Sequence, residues 1–260
     1  ALGWVLSSFA ENIIVLTMAY GCISGAGVGI VYGVLMNVIA KWFPDKKGLA
    51  SGLVLVGFGL SPLVTAPLAR ILVENYGVMG AFLVLGVSFG VLIPILALPF
   101  KYPGDEDLPS CNSKSEPTQI TEDIPLKRMI KTKSFKGIYL NFIIGTMIGL
   151  TMIGMTTNVG IEYFGLEASM VTRLMALFAI MNGIGRPTFG WICDYFSPRH
   201  AMILSYLLII AAAIGVIALG NHTIVYVAAF SLFWFNLGGW LAIAPTSTLK
   251  IFGMKNYSEN

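Results

Sequence analysis

The sequence predicts an all-helical membrane protein, and three features of its composition support this fold class. Only 11% of the 260 residues are charged, whereas about 25% are charged in an ordinary soluble domain. Apolar residues make up 56% of the chain, and they form runs of about 20 residues or more, the length that a helix needs to cross a bilayer. The charges are concentrated at 100–136, outside these runs. This composition argues against a soluble enzyme, a disordered tail and a nucleic-acid-binding protein.

The apolar runs predict one partial helix at 1–9 and seven complete membrane-spanning helices. Barrel strands are a poor match, because they would show segments of about ten residues that alternate apolar and polar side chains. Since position 1 is not Met and the first run is already apolar, we expect the chain to be an internal part of a longer protein. The seven complete runs are 13–40, 49–73, 78–99, 137–158, 171–193, 201–219 and 223–249.

Each run ends where charged or turn-forming residues begin. Glu11 and Asn12 precede the first complete run, and Lys41 follows it. The polar turn 74–77 divides the second run from the third, and the fourth begins after Lys136. The remaining boundaries are the acidic turn 162–167, the loop 194–200 and the polar pair 221–222.

The distribution of Lys and Arg predicts the orientation of these spans. Thirteen of the 16 basic residues lie on one side of the predicted membrane, and the exceptions are Arg70, Arg173 and Arg186. Cytoplasmic loops carry such an excess, and with this side in the cytoplasm all spans alternate in direction without conflict. We therefore expect an integral, multi-pass protein of the cell membrane, with the lipid bilayer as its surroundings.

A polar segment at 100–136 predicts a division into two helix bundles. It is rich in Pro, Ser, Thr and charges of both signs, which is the composition of a flexible linker. The pattern Lys, apolar, Phe, two residues, Lys occurs at 41–46 and again at 250–255, as in a duplicated bundle. We predict part of an N-terminal bundle at 1–99, a cytoplasmic linker at 100–136 and part of a C-terminal bundle at 137–260.

A loop motif resembles the signature of a known family. Gly190, Asp194 and Arg199 follow the spacing Gly-x-x-x-Asp-x-x-x-x-Arg at the point where a span enters the cytoplasm. Glycine allows close helix packing, Asp194 can accept hydrogen bonds at the helix end, and Arg199 can pair with it across the turn. The motif resembles the loop signature of the major facilitator superfamily, which implies a conformational role. The alternative is an ordinary polar turn after a membrane helix.

Longer strings narrow the resemblance. The residues KWFPDKKGLASG at 41–52, followed by GFG at 57–59, resemble the oxalate/formate antiporter family and the related monocarboxylate transporters. The strings MIKTKSF at 129–135 and FGMKN at 252–256 are similar to that family as well. The resemblance implies a major facilitator fold with two six-helix bundles, both incomplete in this chain, which would run from helix three to the loop after helix ten. It also implies exchange or cotransport of small carboxylate anions.

Arg186 is the predicted substrate-binding residue. It lies thirteen residues after Arg173 and eight before Asp194, and therefore roughly 20 Å and roughly 12 Å from them along a helix. An Arg at this depth costs roughly 2.5–3.5 kcal/mol on insertion scales and normally faces a polar cavity, and its planar fork suits a carboxylate. Its surroundings resemble the eighth helix of the family, whose Arg-Pro pair carries the substrate-binding Arg. The alternative is a structural Arg that binds carbonyls freed by Pro187.

Four further residues are candidates for the lining of a central cavity or for its support. Asn182, one turn before Arg186, stands where monocarboxylate transporters place an Asp, and no Asp or Glu lies deep in any complete run. This difference favours anion exchange or facilitated passage over proton symport. Tyr32, beside a stripe of glycines in the first complete run, and Trp234 and Asn236 in the last run are the other candidates. Ordinary packing between helices or against lipid is the alternative for these three.

The predicted function is secondary active transport of a small carboxylate by alternating access. Two other functions stay open: a major facilitator that carries another small solute, and a polytopic sensor or scaffold whose linker binds a partner. The three cysteines are far apart and no Cys/His cluster accompanies them, so we predict no metal site. For a transporter of this kind we also predict no cofactor and no enzymatic activity. The oligomeric state is not predicted.

Overall fold

The computed structural model describes residues 1–101, 126–220 and 222–253, and it confirms the all-helical fold class. The described residues form eight helices and contain no strand. Six of these helices are long and apolar enough to cross a membrane. The eight are α1 (Leu2–Ser7), α2 (Ile13–Trp42), α3 (Lys47–Ala97), α4 (Leu126–Met129), α5 (Lys133–Tyr163), α6 (Ala168–Tyr195), α7 (Pro198–Ala218) and α8 (Thr223–Phe252).

Helix α3 accounts for two predicted spans. Its 51 residues would be about 77 Å long as a straight helix, which exceeds twice the thickness of a hydrocarbon core of about 30 Å. The helix breaks at Gly77, where φ is 70° and ψ is 174°, a left-handed conformation that only glycine adopts without strain. The break falls in the turn predicted at 74–77, so the second and third predicted spans are joined almost without a loop.

Polar side chains fix the starts of three helices. Asn12 accepts a hydrogen bond from the Val15 amide at 2.9 Å at the start of α2. Thr132 accepts one from the Phe135 amide at 3.1 Å at the start of α5, which begins four residues earlier than the predicted run at 137. Ser197 accepts at the start of α7. Such caps satisfy backbone donors that a helix leaves unpaired at its first turn.

Two π-helical stretches have no counterpart in the sequence-based predictions. One forms Thr17–Ser24 within α2, and the other forms Val159–Tyr163 at the end of α5. A π-helical turn holds one more residue than an α-helical turn, and an apolar run gives no signal for it, because all of its side chains are compatible with either geometry.

The chain contains two compact units, and the first consists of Ala1–Trp42 and Leu63–Cys111. Aromatic rings hold this unit together around Trp4, whose ring lies 5.3 Å from Tyr20, 5.4 Å from Phe82 and 5.5 Å from Phe89. Gly86 lets α3 approach α1 closely, since a methyl group there would lie 2.8 Å from the Val5 amide nitrogen.

The second unit consists of Phe43–Pro62 and Asn112–Asn260, with α8 at its centre. Helices α5, α6 and α7 all pack on α8, and glycines let them approach. A methyl group on Gly149 of α5, for example, would lie 2.8 Å from the Leu237 side chain. The aromatic core of this unit includes Phe178, Tyr226 and Phe230, each at most 2% exposed. The predicted division into halves stays a prediction, because most of the linker 100–136 lies outside the described residues.

The outer faces of the long helices are apolar. Large aliphatic side chains such as Ile217 and Ile224 are 82% and 80% exposed. In water this surface would be an aggregation hazard, since soluble monomers rarely expose large apolar patches, whereas lipid chains cover it at no cost. The protein is therefore an integral, multi-pass membrane protein.

Candidate functional site

Among the described residues of the second unit, Arg186 is a buried cation, nine residues before the end of α6. Its side chain is held by groups of two helices although only 3% of the residue is exposed. Its Nη1 donates to the Leu55 carbonyl of α3 at 2.9 Å, and its Nη2 donates to Asn182 Oδ1 at 3.2 Å. The Phe58 ring lies 5.1 Å from its Cζ, within the range of a cation–π interaction. No Asp or Glu occurs in the seven apolar runs of the sequence.

Asn182 connects Arg186 to α8. Its Nδ2 donates to the Trp234 carbonyl at 3.0 Å, which leaves Oδ1 directed at the guanidinium. The two residues lie one helical turn apart on the same face of α6. The amide therefore supports the cation without changing its charge, and this orientation depends on the bond to α8.

The polar contacts continue from α8 to α5. Trp234 Nε1 donates to Thr156 Oγ1 at 3.0 Å, and the Tyr226 hydroxyl donates to the Thr156 carbonyl at 2.9 Å. Thr156 and Tyr226 are fully buried. A chain of hydrogen bonds thus joins three helices of the second unit beside Arg186, and such connected buried networks favour one defined arrangement.

Glycines bring the first part of α3 against α6. A methyl group on Gly52 would lie 2.5 Å from the Arg186 carbonyl oxygen and 2.7 Å from Pro187 Cα. One on Gly59 would lie 3.0 Å from both Arg186 Nε and Gly183 Cα. The backbones of the two helices are therefore in contact. Because the helices lie so close together, the guanidinium reaches a main-chain oxygen of α3.

This packing gives a testable expectation for Gly52→Ala. The new methyl group has to displace backbone rather than a flexible side chain, which costs about 1–3 kcal/mol. We expect a lower melting temperature and lower transport in the full-length protein. Gly57→Ala is the matched control in the same helix, because no heavy atom lies within 4 Å of its new methyl group. Equal behaviour of the two variants in thermal unfolding would contradict the close contact of α3 with α6.

A second polar cluster lies at the end of α6. Asp194 accepts from the Gly48 amide at 3.0 Å and from the Leu49 amide at 2.8 Å, which are donors of the first turn of α3. Lys250 of α8 lies 3.2 Å from Asp194 Oδ1 and donates to the Cys193 carbonyl at 2.8 Å. A carboxylate at a helix start satisfies unpaired amides and interacts favourably with the helix dipole. Asp194 thus joins three helices of the second unit.

The predicted pairing of Asp194 with Arg199 is wrong. The ion pair that the described residues show for Asp194 is with Lys250, while Arg199 is exposed in the first turn of α7. Asp194 points toward the start of α3, where two amides bind it, and Lys250 of α8 lies within ion-pair distance of its carboxylate. Gly190 lies close to α3, since a methyl group there would lie 2.6 Å from the Gly48 carbonyl carbon.

The structure brings together three of the five predicted substrate-binding residues. Arg186, Asn182 and Trp234 form one hydrogen-bonded group. Tyr32 lies half-buried in α2 within the first unit. Asn236 is 1% exposed, and its amide nitrogen donates to the Leu232 carbonyl of its own helix at 2.8 Å. Cavity roles for Tyr32 and Asn236 stay predictions.

Sequence reasoning assigned no role to three residues that the structure places at these clusters. Leu55 contributes a backbone carbonyl, which carries no side-chain signal. Phe58 lies within the GFG string at 57–59 that resembles the family. The sequence does not indicate its contact with Arg186, which is 128 residues away in the chain. Lys250 belongs to the repeated pattern at 250–255, but the pattern does not indicate that Lys250 pairs with Asp194.

The sequence model of the Major Facilitator Superfamily matches residues 1–256. The chain therefore belongs to this superfamily, whose members are membrane transporters of small solutes.

The chain is similar to transporters of several kinds within the superfamily. It is 29% identical to an oxalate:formate antiporter of Oxalobacter formigenes over 99% of this chain and 60% of that protein. It is 24% identical to monocarboxylate transporter 12 of Xenopus laevis, again over 99% of this chain and 60% of the relative. An uncharacterized MFS-type transporter of Escherichia coli (strain K12) is 22% identical over 100% of this chain and 63% of the relative. The chain thus spans about three fifths of the length of the relatives that it matches.

Proposed function

We propose that the protein is a secondary transporter of small carboxylate anions that works by exchange, with Arg186 as its anion-binding residue. The observation that carries this proposal is the buried guanidinium held by a backbone carbonyl, an amide oxygen and an aromatic ring. These neutral groups support the cation without cancelling its charge. Its two terminal nitrogens can offer parallel hydrogen bonds to a carboxylate, which a Lys cannot do.

The residues of the seven apolar runs favour exchange over proton symport. A proton-coupled carrier needs a group that gains and loses a proton within the membrane, and the seven apolar runs contain no Asp or Glu. Asn182 fills the position beside Arg186 and carries no charge. The similarity to an oxalate:formate antiporter supports the same choice.

Asp194 and Gly190 support a conformational role at one end of the carrier. Alternating access requires contacts that form in one state and break in another. The Asp194 carboxylate bound to two amides of α3 and to Lys250 is such a contact, since each of its bonds is polar and can be exchanged for bonds to water. We propose that it stabilises the state in which α3 lies on α6.

Counterflow in proteoliposomes tests the proposed function. Vesicles containing the full-length protein and loaded with unlabelled oxalate should accumulate labelled oxalate or formate in a saturable manner, and a neutral solute of similar size should not accumulate. Saturable flux of the neutral solute alone would assign a different cargo. Binding of another protein to the 100–136 segment without any solute flux would favour the sensor or scaffold function.

The proposed orientation places the start of α5 in the cytoplasm and the start of α6 outside. Ser134→Cys and Ser169→Cys introduce thiols at exposed serines near these ends, in a background in which the native cysteines are replaced by Ser. A membrane-impermeant maleimide added to intact cells should label Ser169→Cys, and Ser134→Cys should react only after permeabilisation. Labelling of both from outside would contradict the basic-residue bias as an orientation signal.

A further inference from the structure

Two of the three contacts described for the Arg186 side chain come from α3 rather than from its own helix. The Leu55 carbonyl accepts from Nη1 at 2.9 Å, and the Phe58 ring lies 5.1 Å from Cζ. Phe58 is itself 60% exposed, so its ring is not held in place by burial in a core. The guanidinium is therefore one of the groups that hold α3 on α6.

The two nitrogens that contact protein oxygens are also the terminal nitrogens that can bind a carboxylate end-on. One N–H of Nη1 is directed at Leu55 and one of Nη2 at Asn182, so a carboxylate bound by two parallel N–H···O bonds has to share these nitrogens with protein oxygens. An anion brings a full negative charge, and its hydrogen bonds to a cation are stronger than those of a neutral carbonyl. A bound carboxylate therefore competes with the Leu55 carbonyl for the guanidinium.

The rest of the contact between α3 and α6 is suited to separation. It includes close contacts at glycines, with Gly48 of α3 on Gly190 of α6, Gly52 on Pro187 and Gly59 on Gly183. Glycines let backbones approach but bury little apolar side-chain surface, and burial is what usually stabilises packed helices. The polar contacts made by Arg186 and Asp194 add to the attraction between these two helices.

We propose that Phe58 is a positioning residue that holds Arg186 against α3 in the anion-free carrier, and that carboxylate binding releases this contact. This inference rests on the proposed function of Arg186. The anion-free carrier reorients slowly because α3 stays on α6, whereas the loaded carrier has lost the contact and reorients quickly. Movement of one carboxylate across the membrane then depends on the return of another, which is coupled exchange.

Phe58→Leu tests this proposal through the ratio of net efflux to exchange. Proteoliposomes with the full-length protein are loaded with labelled oxalate, and efflux is measured into buffer with and without external oxalate. Removing the cation–π contact should raise the ratio of net efflux to exchange roughly tenfold. Phe58→Tyr retains the aromatic face and should keep the wild-type ratio. The half-saturating oxalate concentration should fall in Phe58→Leu, since the competing contact is weaker.

Gly59→Ala provides a second route to the same contact. Its methyl group would lie 3.0 Å from Arg186 Nε and 3.2 Å from Asn182 Oδ1, so it pushes the guanidinium away from α3 and should also raise the ratio. Gly57→Ala, which meets no heavy atom within 4 Å, is the control that should leave the ratio unchanged.

The outcomes separate this inference from the proposed function. An unchanged or lower ratio in Phe58→Leu, with Arg186→Gln inactive in exchange, overturns the positioning role alone. Wild-type exchange in Arg186→Gln overturns the proposed function and the inference together. A ratio that rises equally in Phe58→Leu and Phe58→Tyr shows a steric effect and also overturns the role of the aromatic face.

Discussion

Arg186→Lys should insert and fold like the wild-type protein but lose most of its carboxylate transport. Lys keeps the positive charge, but it lacks the planar fork that offers two parallel hydrogen bonds to a carboxylate. Since a hydrogen bond to a charged group contributes about 1.5–3 kcal/mol, transport at low substrate concentration should fall roughly 10- to 100-fold. Arg186→Gln should transport even less while inserting at least as well, because the cost of burying the charge is removed.

The measurement for both variants is flux divided by the amount of folded protein. A purely structural Arg186 would give the opposite pattern, in which less folded protein is recovered and each folded molecule transports normally. The structure bears on this alternative. Pro187 frees the carbonyl of Gly183 four residues earlier, whereas the carbonyl that accepts from Arg186 Nη1 belongs to Leu55 of another helix.

Asn182→Asp should weaken anion transport, because it replaces a neutral amide beside Arg186 with a carboxylate. Asn182 Oδ1 lies 3.2 Å from Arg186 Nη2, so a carboxylate at this position forms an ion pair with the guanidinium and repels a bound anion. We expect the half-saturating concentration of oxalate to rise more than tenfold, since the substrate has to displace a charged group rather than a neutral one. Asn182→Ser, which removes the amide and adds no charge, is the matched control.

If the half-saturating concentration of oxalate in Asn182→Asp equals that of the wild-type protein, the anion does not approach Arg186. Equal loss in Asn182→Ser and Asn182→Asp would assign the effect to the lost bond with the Trp234 carbonyl rather than to charge. The two variants thus separate an electrostatic role of this position from a packing role.

The long spans and the depth of Arg186 could be predicted because both depend on properties of continuous sequence. An apolar run of sufficient length has few alternatives to a membrane helix, and the position of an Arg within a run sets its depth. The break at Gly77 was predictable for the same reason, since a polar turn lies inside an apolar stretch. The π-helical stretches within α2 and α5 could not be predicted, because the same apolar residues can form either hydrogen-bond spacing.

The partners of the charged residues could not be predicted, because they depend on which helices pack together. Leu55 lies 131 residues from Arg186 in the chain, and its carbonyl is identical to every other carbonyl in the sequence. Arg199 was favoured as the partner of Asp194 because it is five residues away, yet Lys250, 56 residues away, forms the ion pair. Proximity in sequence places Arg199 on the next helix, and packing decides which cation reaches the carboxylate.

Binding of oxalate to the purified full-length protein tests the central claim most directly, since it requires neither coupling nor orientation. Titration calorimetry or an oxalate-dependent rise in melting temperature should show saturable binding to the wild-type protein and to Gly57→Ala. Arg186→Gln, folded to the same extent, should show at least a tenfold weaker affinity, because the fork of hydrogen bonds and the positive charge are both lost. Wild-type affinity for oxalate in folded Arg186→Gln would contradict the assignment of Arg186 as the carboxylate site.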